Sequence, residues 1–140
     1  MLEDLKKQVV CYAQQAERSG LCKHRSGNFS IRDKDTGKIC ITPTGMDREE
    51  MVPEDVVVID MEGKVVESLH QRRPTSESLM HIAVYRARPE VSAIAHTHSK
   101  TATAFAVMKK PIPAIVYELF VLGCKKGYIP VAPYGRPGTK

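Results

Sequence analysis

Residues 27–42, GNFSIRDKDTGKICIT, carry the clearest secondary-structure signal in the sequence. Phe29 and Ile31 alternate with polar neighbours, which is typical of a half-buried β-strand, and ICIT at 39–42 is a second, apolar strand. The residues between them are strong turn formers, so the two strands are predicted to pair as a β-hairpin. A second hairpin is predicted downstream, where the turn MEGK separates VVVID from VVESL.

Helical periodicity surrounds the hairpins. Near the start of the chain, apolar residues recur three or four positions apart until Gly20 supplies a stop, which predicts an amphipathic helix. After Pro74, the stretch TSESLMHIAVYRAR predicts a second helix with Thr75 or Ser76 as its N-cap. Its expected apolar stripe consists of Leu79, Ala83 and Ala87. The whole pattern predicts a single mixed α and β domain over residues 1–140.

The composition is that of an ordinary folded protein. The 140 residues are 42% apolar and 26% charged, which disfavours wholesale disorder, and no apolar run approaches the ~20 residues of a membrane helix. The first residues, MLEDLKKQVV, are too polar for a signal peptide, so a cytoplasmic location without a membrane partner is expected. The four cysteines contain no CxxC pair and are expected to be free thiols.

The charge balance bears on the expected partner. The chain has 21 Lys and Arg against 16 Asp and Glu, which gives a net charge of +5. Such an excess suits an anionic small molecule. The basic residues are dispersed, with no long cationic block and no aromatic ladder, so nucleic acid is not the expected partner.

Two histidines, His96 and His98, form the sharpest chemical feature of the sequence. They are two residues apart on a predicted strand, so their side chains point to one face and both imidazoles can bind one ion. Neutral imidazole is a common zinc ligand, and zinc needs further donors from elsewhere in the chain. An HxH pair also occurs by chance, so two ordinary surface or core histidines are the alternative interpretation.

Glu77 lies in the first turn of the predicted second helix, where the helix dipole favours a carboxylate. Beside zinc, a carboxylate can bind the metal or leave it and accept a proton from the substrate. Otherwise Glu77 only stabilises the helix end. His81, one turn further on, is a metal ligand, a support for one, or a core residue, and the last two interpretations are favoured.

Three short polar turns are candidate anion sites. They are SGN at 26–28, TG at 44–45 and TS at 75–76. Each places hydroxyl, amide or free backbone N–H groups at the end of a strand or the start of a helix, and such groups bind phosphate through fixed dipoles. Arg25 could add a positive charge. Taken singly, each turn is more simply explained as a plain turn or a helix cap.

In order and spacing, six segments of the chain resemble those of the class II aldolase/adducin family. They are GNFSIR, ITPTG, PTSESLMHIAVYRARPE, AIAHTHS, IPAIVYE and IPVAPYGRPGT, spread from about Gly27 to Thr139. The resemblance implies a three-layer α/β/α fold around a mainly antiparallel central sheet, incomplete at its C-terminus. It also implies a homotetramer with one Zn²⁺ per active site, which cleaves a phosphorylated ketose to dihydroxyacetone phosphate and a short aldehyde.

The resemblance implies roles for individual residues as well. His96 and His98 match the zinc ligands, and Glu77 matches the acid that binds zinc and exchanges the substrate proton. The substrate phosphate would be held by three pairs, Gly27 with Asn28, Thr44 with Gly45, and Thr75 with Ser76. Tyr117 matches a tyrosine near the aldehyde end of the substrate.

Departures from the family pattern leave alternatives open. The family places a third histidine ligand in a later HHG-type segment, beyond residue 140, and the chain ends in RPGTK with no closing helix or strand. Either the chain is truncated or its metal site is incomplete, and we expect a truncated chain because the core is also left unclosed. Arg25 and Thr75 stand where related aldolases carry a small polar residue and a serine, which would alter the phosphate contact or the substrate. The alternative functions are a sugar-phosphate 4-epimerase, a dehydratase, and a non-catalytic adducin-like interaction domain.

Overall fold

The computed structural model describes residues 2–135, and the turn-like end RPGTK lies outside them. Within the described range the chain forms two compact units, a first unit of residues 2–97 and a second unit of residues 98–135. None of the helices in this range is both long enough and apolar enough to cross a membrane.

Within residues 2–97, an antiparallel sheet of five strands organises the first unit. The strands are β1 (Asn28–Arg32), β2 (Ile39–Ile41), β3 (Val57–Ile59), β4 (Val65–Glu67) and β5 (Ala93–His96). Their order across the sheet is β4-β3-β2-β1-β5, so β5 lies at an edge beside β1. Strand β1 pairs with β2, and β3 pairs with β4, which confirms both predicted hairpins.

Helix α1 (Glu3–Arg18) covers one face of this sheet. Its residues Val9 and Ala13 belong to the same buried cluster as Phe29 and Val58 of the strands. Helix packing against one side of an antiparallel sheet buries the apolar stripe of the helix and every second residue of each strand. The predicted opening helix is therefore confirmed.

Helix α2 (Ser78–Ala87) covers the opposite face. Its residues Ile82 and Tyr85 pack in a second buried cluster with Ile41 and Ile59. The first unit therefore has three layers, helix, antiparallel sheet and helix, which confirms the predicted fold class.

The apolar stripe predicted for α2 is wrong. The three residues assigned to it are exposed, and the buried residues of the helix are His81, Ile82 and Tyr85. Histidine and tyrosine can face the core here because their polar atoms find hydrogen-bond partners on β1. The N-cap position is occupied by Glu77, not by either predicted residue, and the Glu77 side chain makes no capping hydrogen bond.

Shorter elements make up the second unit. They are α3 (Lys100–Val107), β6 (Ile112–Pro113), α4 (Tyr117–Val121) and β7 (Tyr128–Ile129). The two strands pair antiparallel with each other. Helical and extended segments thus alternate along this unit, and none of its described residues is buried.

Candidate active site

Glu77 and His96 meet within the first unit. The Glu77 Oε2 atom lies 2.6 Å from the Nδ1 atom of His96. Glu77 directly precedes α2 and His96 is the last residue of β5, so a helix N-terminus and a strand end bring the two side chains together. The side chains are 26% and 27% exposed, respectively. The contacting Nδ1 atom of His96 is itself buried, so a small molecule in solution reaches the pair only through the exposed parts of the two side chains.

The sheet register places Asn28 directly opposite His96 across β1 and β5. Opposite residues of an antiparallel pair carry their side chains on the same face of the sheet. Gly27, just before Asn28, has φ +73°, and a Cβ atom there would lie 2.7 Å from the His96 carbonyl oxygen and 2.5 Å from Cys22 Sγ. Only glycine fits this conformation and this space, so the close approach of the two chain segments depends on it.

Backbone hydrogen bonds bring the three predicted anion-binding turns next to one another. The Thr42 N–H donates to the Phe29 carbonyl oxygen at 3.0 Å, and Thr42 Oγ1 accepts from the Phe29 N–H at 3.1 Å. The Thr75 N–H donates to the Thr42 carbonyl oxygen at 3.1 Å, and the Thr44 N–H donates to the Arg73 carbonyl oxygen at 3.0 Å. The fold therefore holds the three turns side by side.

The turns offer their polar groups at different depths. Thr44, Gly45 and Ser76 are exposed, whereas Thr75 and Asn28 are buried. The last of the three turns leads directly into α2, and the positive end of a helix dipole favours a nearby anion. Hydroxyl, amide and backbone N–H groups thus collect at a helix start, which is the chemistry that binds a phosphate group.

His81 is fully buried, in agreement with the favoured interpretation, but its partners were not predicted. Its Nε2 atom lies 2.5 Å from Asn28 Oδ1, and its Nδ1 atom lies 2.7 Å from Ser30 Oγ. Ser30 Oγ lies 2.8 Å from Tyr85 Oη. The spacing of two between Asn28 and Ser30 on a strand, and of four between His81 and Tyr85 on a helix, is the sequence signal that could have revealed these two facing pairs.

Burial controls the protonation of this network. Burial lowers the pKa of His81 to about 4, and the neighbouring His96 lowers it further while Glu77 opposes the shift. Burial also raises the pKa of Tyr85 to about 12, against the opposing effects of the Ser30 hydrogen bond and of Arg32. At pH 7 both His81 and Tyr85 are therefore neutral.

A buried arginine supports the Gly27 turn. Arg48 donates from Nη2 to the Gly27 carbonyl oxygen at 2.6 Å and from Nη1 to the Met46 carbonyl oxygen at 3.3 Å. Burial lowers the Arg48 pKa, but a guanidinium keeps its proton at neutral pH. A fixed positive charge close to the turn favours a bound anion. No motif in the sequence marks Arg48 for this position.

The two remaining predicted site residues belong to the second unit. His98 is its exposed first residue and lies beyond β5, which ends at His96, so the prediction that one strand carries both histidines is wrong. Tyr117, at the start of α4, is 79% exposed. Among residues 2–135, no three His, Cys, Asp or Glu side chains gather into a metal site. A carboxylate oxygen and an imidazole nitrogen are nevertheless donors that zinc accepts. Glu77 and His96 are therefore of the residue types that bind zinc, and both lie in the first unit.

Comparison with known proteins gives a consistent result. The family described as Class II Aldolase and Adducin N-terminal domain matches residues 7–140. The 5-deoxy-D-ribulose 1-phosphate aldolase of Bacillus thuringiensis is 36% identical over 140 residues, which are 100% of this chain and 63% of that protein. The L-ribulose-5-phosphate 4-epimerase UlaF of Salmonella typhi is 40% identical over 114 residues, which are 81% of this chain and 49% of that protein.

Among solved structures, an L-fuculose 1-phosphate aldolase superposes with a TM-score of 0.89 at 36% sequence identity. The superposition covers 98% of this chain and 62% of that one. The chain thus spans about three fifths of the length of the two aldolases that it matches. The family resemblance inferred from the motifs is confirmed.

Proposed function

We propose that this chain, which belongs to the class II aldolase and adducin N-terminal domain family, forms the phosphate site and part of the metal site of a zinc-dependent aldolase. The reaction would be reversible cleavage of a phosphorylated ketose, of the L-fuculose 1-phosphate type, to dihydroxyacetone phosphate and a short aldehyde. One observation carries the proposal: the Glu77–His96 contact lies in the same unit as three adjoining turns of phosphate-binding chemistry.

The substrate phosphate would be held by the three adjoining turns. The proposed contacts are Gly27 with Asn28, Thr44 with Gly45, and Thr75 with Ser76. These groups donate hydrogen bonds from hydroxyl, amide and backbone N–H groups whose positions the sheet and the start of α2 fix in advance. The buried guanidinium of Arg48, bonded to the Gly27 carbonyl, would add a positive charge behind the turn. Fixing the phosphate orients the carbon that reacts.

The metal would be held by Glu77 and His96, with His98, two positions further along the chain, as a third donor. When bound, zinc would act as a Lewis acid on the carbonyl oxygen of the ketose. Glu77 would move a proton to and from the carbon at which the C–C bond breaks, a task that suits a carboxylate accessible to substrate. Tyr117 would act at the aldehyde end of the substrate.

The names of the related aldolases help to define the substrate class. Both 5-deoxy-D-ribulose 1-phosphate and L-fuculose 1-phosphate are ketose phosphates with the phosphate on carbon 1. The first unit would bind this shared end, so the two sugars would be distinguished at their far ends. The similarity to UlaF supports a 4-epimerase as the second candidate, because that enzyme also acts on a ketose phosphate. A homotetrameric assembly and a cytoplasmic location stay predictions.

Aldol cleavage tests the proposal directly. Because the chain spans three fifths of its relatives, we would join residues 1–140 to the unmatched part of the Bacillus thuringiensis aldolase. Release of dihydroxyacetone phosphate from each of the two ketose 1-phosphates would then be measured. Glu77→Gln should lower the cleavage rate by ~10²-fold or more, because the amide cannot carry the proton. The control Glu90→Gln changes an exposed carboxylate and should leave the rate unchanged.

Two results would contradict this assignment. Equal rates for the wild type and Glu77→Gln would leave Glu77 as a helix-start acid. Zinc bound with the same affinity by His96→Ala as by the wild-type chain would remove His96 from the metal site. The matched control for the second measurement is His24→Asn, which removes an exposed imidazole from a loop. We expect His96→Ala to weaken zinc binding by about tenfold or more and His24→Asn to leave it unchanged.

A further inference from the structure

Tyr85, Ser30, His81 and Asn28 form a buried chain of hydrogen bonds, here called the relay. The donor and the acceptor of each bond follow from the chemistry of the four side chains. An amide oxygen only accepts hydrogen bonds, so the His81 Nε2 that faces Asn28 Oδ1 must carry a proton. A neutral imidazole then has a lone pair on Nδ1, which accepts from the Ser30 hydroxyl. Because Ser30 gives its own proton to His81, Ser30 Oγ accepts from the Tyr85 hydroxyl at 2.8 Å, and the same Tyr85 proton is shared with the Ser92 carbonyl oxygen at the longer distance of 3.4 Å. The relay therefore runs from Tyr85 through Ser30 and His81 to Asn28.

The protonation state of His81 agrees with this direction. Its pKa is lowered to about 4 by burial, so the ring is neutral at pH 7 and carries one proton, as the relay requires. The four residues of the relay are buried, and His81 and Tyr85 lie on the face of β1 that α2 covers, where low solvent access strengthens hydrogen bonds.

The same hydrogen bond leaves the other half of the Asn28 amide available. With Oδ1 held by His81, the Nδ2 group and its two N–H donors are turned away from the ring. Nδ2 makes no hydrogen bond within residues 2–135, and it is not among the unpaired side-chain atoms of this range that are sealed from solvent. Two donors are therefore free at the first of the three adjoining turns.

We propose that His81 is a positioning residue for phosphate, because it fixes the rotation of the Asn28 amide through the relay and so presents N–H donors to the anion. This inference rests on the proposed function, since it requires phosphate to bind at Asn28. A rotated amide would turn its oxygen towards the anion and repel it. Locking the amide before binding also avoids the entropy cost of ordering the side chain in the complex.

Titration of the ¹⁵N-labelled 140-residue chain with inorganic phosphate tests the inference. Amide shifts, including the Asn28 side-chain NH₂, would report binding to the wild type and to Ser30→Ala. Ser30→Ala removes the donor to His81 Nδ1 and frees the ring to change tautomer, so we expect phosphate binding about tenfold weaker. The matched control is Ser68→Ala, which removes a hydroxyl bonded to the Arg72 carbonyl oxygen outside the relay. The control should bind phosphate as the wild type does.

A pair of variants at His81 separates positioning from packing. His81→Gln keeps an N–H donor that can reach Asn28 Oδ1, whereas His81→Leu keeps apolar volume and has no donor. We expect phosphate affinity to decrease from wild type to His81→Gln to His81→Leu, each folded variant being checked by its amide spectrum. Equal affinities for the two variants would overturn the inference. Should either variant fail to fold, the comparison of Ser30→Ala with Ser68→Ala decides alone.

The tautomer of His81 provides a second, independent test of the inference. Long-range ¹H–¹⁵N correlation should show the proton on Nε2 in the wild type and a mixture of tautomers in Ser30→Ala. A proton on Nδ1 in the wild type would mean a rotated Asn28 amide and would overturn the inference. If phosphate changes no amide chemical shift at Gly27 and Asn28 of the wild type, the proposed phosphate site is wrong, and the inference about His81 is wrong with it. If phosphate binds there equally in the wild type and Ser30→Ala, the inference alone fails.

Discussion

The two units of the chain differ most in the burial of their apolar side chains. In the first unit, β-strand residues such as Ile41, Val58 and Ile59 are completely buried between α1 and α2. In the second unit, Ile115 is 85% exposed and Leu122 is 81% exposed, although both lie close to regular secondary structure. Local helix and strand signals are thus enough to form elements, while burial requires a second layer on each face of a sheet.

The predicted site residues also fall into two groups, one in the well-buried first unit and one in the exposed second unit. Asn28 and His96 lie on strands of the first unit and Glu77 directly precedes its helix α2, so the three adjoining turns and the Glu77–His96 contact are held by a buried core. His98 and Tyr117 rest on a unit that buries none of its described residues. We therefore expect phosphate recognition to depend on the first unit alone.

A matched pair of isoleucines tests the contrast, with the largest expected effect. Ile59→Ala removes a side chain with no exposed surface and leaves a cavity, so the free energy of unfolding should fall by about 2–5 kcal/mol. Ile115→Ala removes a side chain that is 85% exposed and should change it by less than about 0.5 kcal/mol. Urea unfolding followed by circular dichroism measures both. A large loss of unfolding free energy in Ile115→Ala would show that the two units do not differ in this way.

A pair of glycines tests how tightly the site is built into the core. Gly27 and Gly37 have φ +73° and +71°, but a Cβ at Gly27 would collide with Cys22 and His96, whereas one at Gly37 meets nothing within 4 Å. Gly37→Ala should cost about 1 kcal/mol for its backbone conformation alone. Gly27→Ala should cost about 3 kcal/mol, because steric overlap is added.

The same urea denaturation experiment decides between these glycines. Equal losses of unfolding free energy would show that the Gly27 turn moves away from His96 at no cost, and the first unit would then be less tightly packed at its site than at its centre.

Local patterns were sufficient to predict the hairpins, the two long helices and a mixed α and β domain, whereas the three-layer fold class was implied by the family resemblance. Alternation around Phe29 and the β-branched run at Val57–Ile59 identify strands locally. The prediction that the first of these strands is half-buried is wrong, because Asn28 and Ser30 on its polar face are buried along with Phe29. The buried face of α2 was mispredicted because His81 and Tyr85 are buried by partners on β1, more than fifty positions away in the chain. Lys6 is buried for a similar reason, since its ammonium group pairs with Glu67 of β4.

Sequence motifs were likewise sufficient to nominate residues of the candidate site, whose roles stay predictions. Short motifs singled out Glu77, His96 and Asn28, since their spacing and residue types carry the chemistry themselves. The supporting residues were not predictable, because the position of Arg48 behind Gly27 and of His81 beside Asn28 depends on contacts between distant segments. Sequence motifs thus mark candidate groups, and long-range packing determines how these groups are oriented.

The smallest expected effect is a pH dependence that links the site to the stability of the first unit. The pKa of His81 is about 4 in the folded chain, against a reference value of 6.5. The unfolded chain therefore binds a proton more readily, so this contribution to stability is complete above pH 6.5 and is lost as the pH falls towards 4. From these two values, unfolding should require about 2 kcal/mol less at pH 5 than at pH 8.

Carboxylates contribute at lower pH, because the pKa values of Asp55 and Glu67 are lowered from 3.8 and 4.5 by their hydrogen bonds with basic partners, against the opposing effect of burial. The interval between pH 8 and pH 5 therefore isolates histidine titration.

Urea midpoints for the wild type and His81→Gln at pH 8, 6.5 and 5 measure the effect, since glutamine keeps a polar side chain and does not titrate. The wild type should lose stability more steeply than the variant. Parallel pH profiles would show that His81 accepts a proton in the folded chain as easily as in the unfolded one, and the core around Asn28 would then admit solvent.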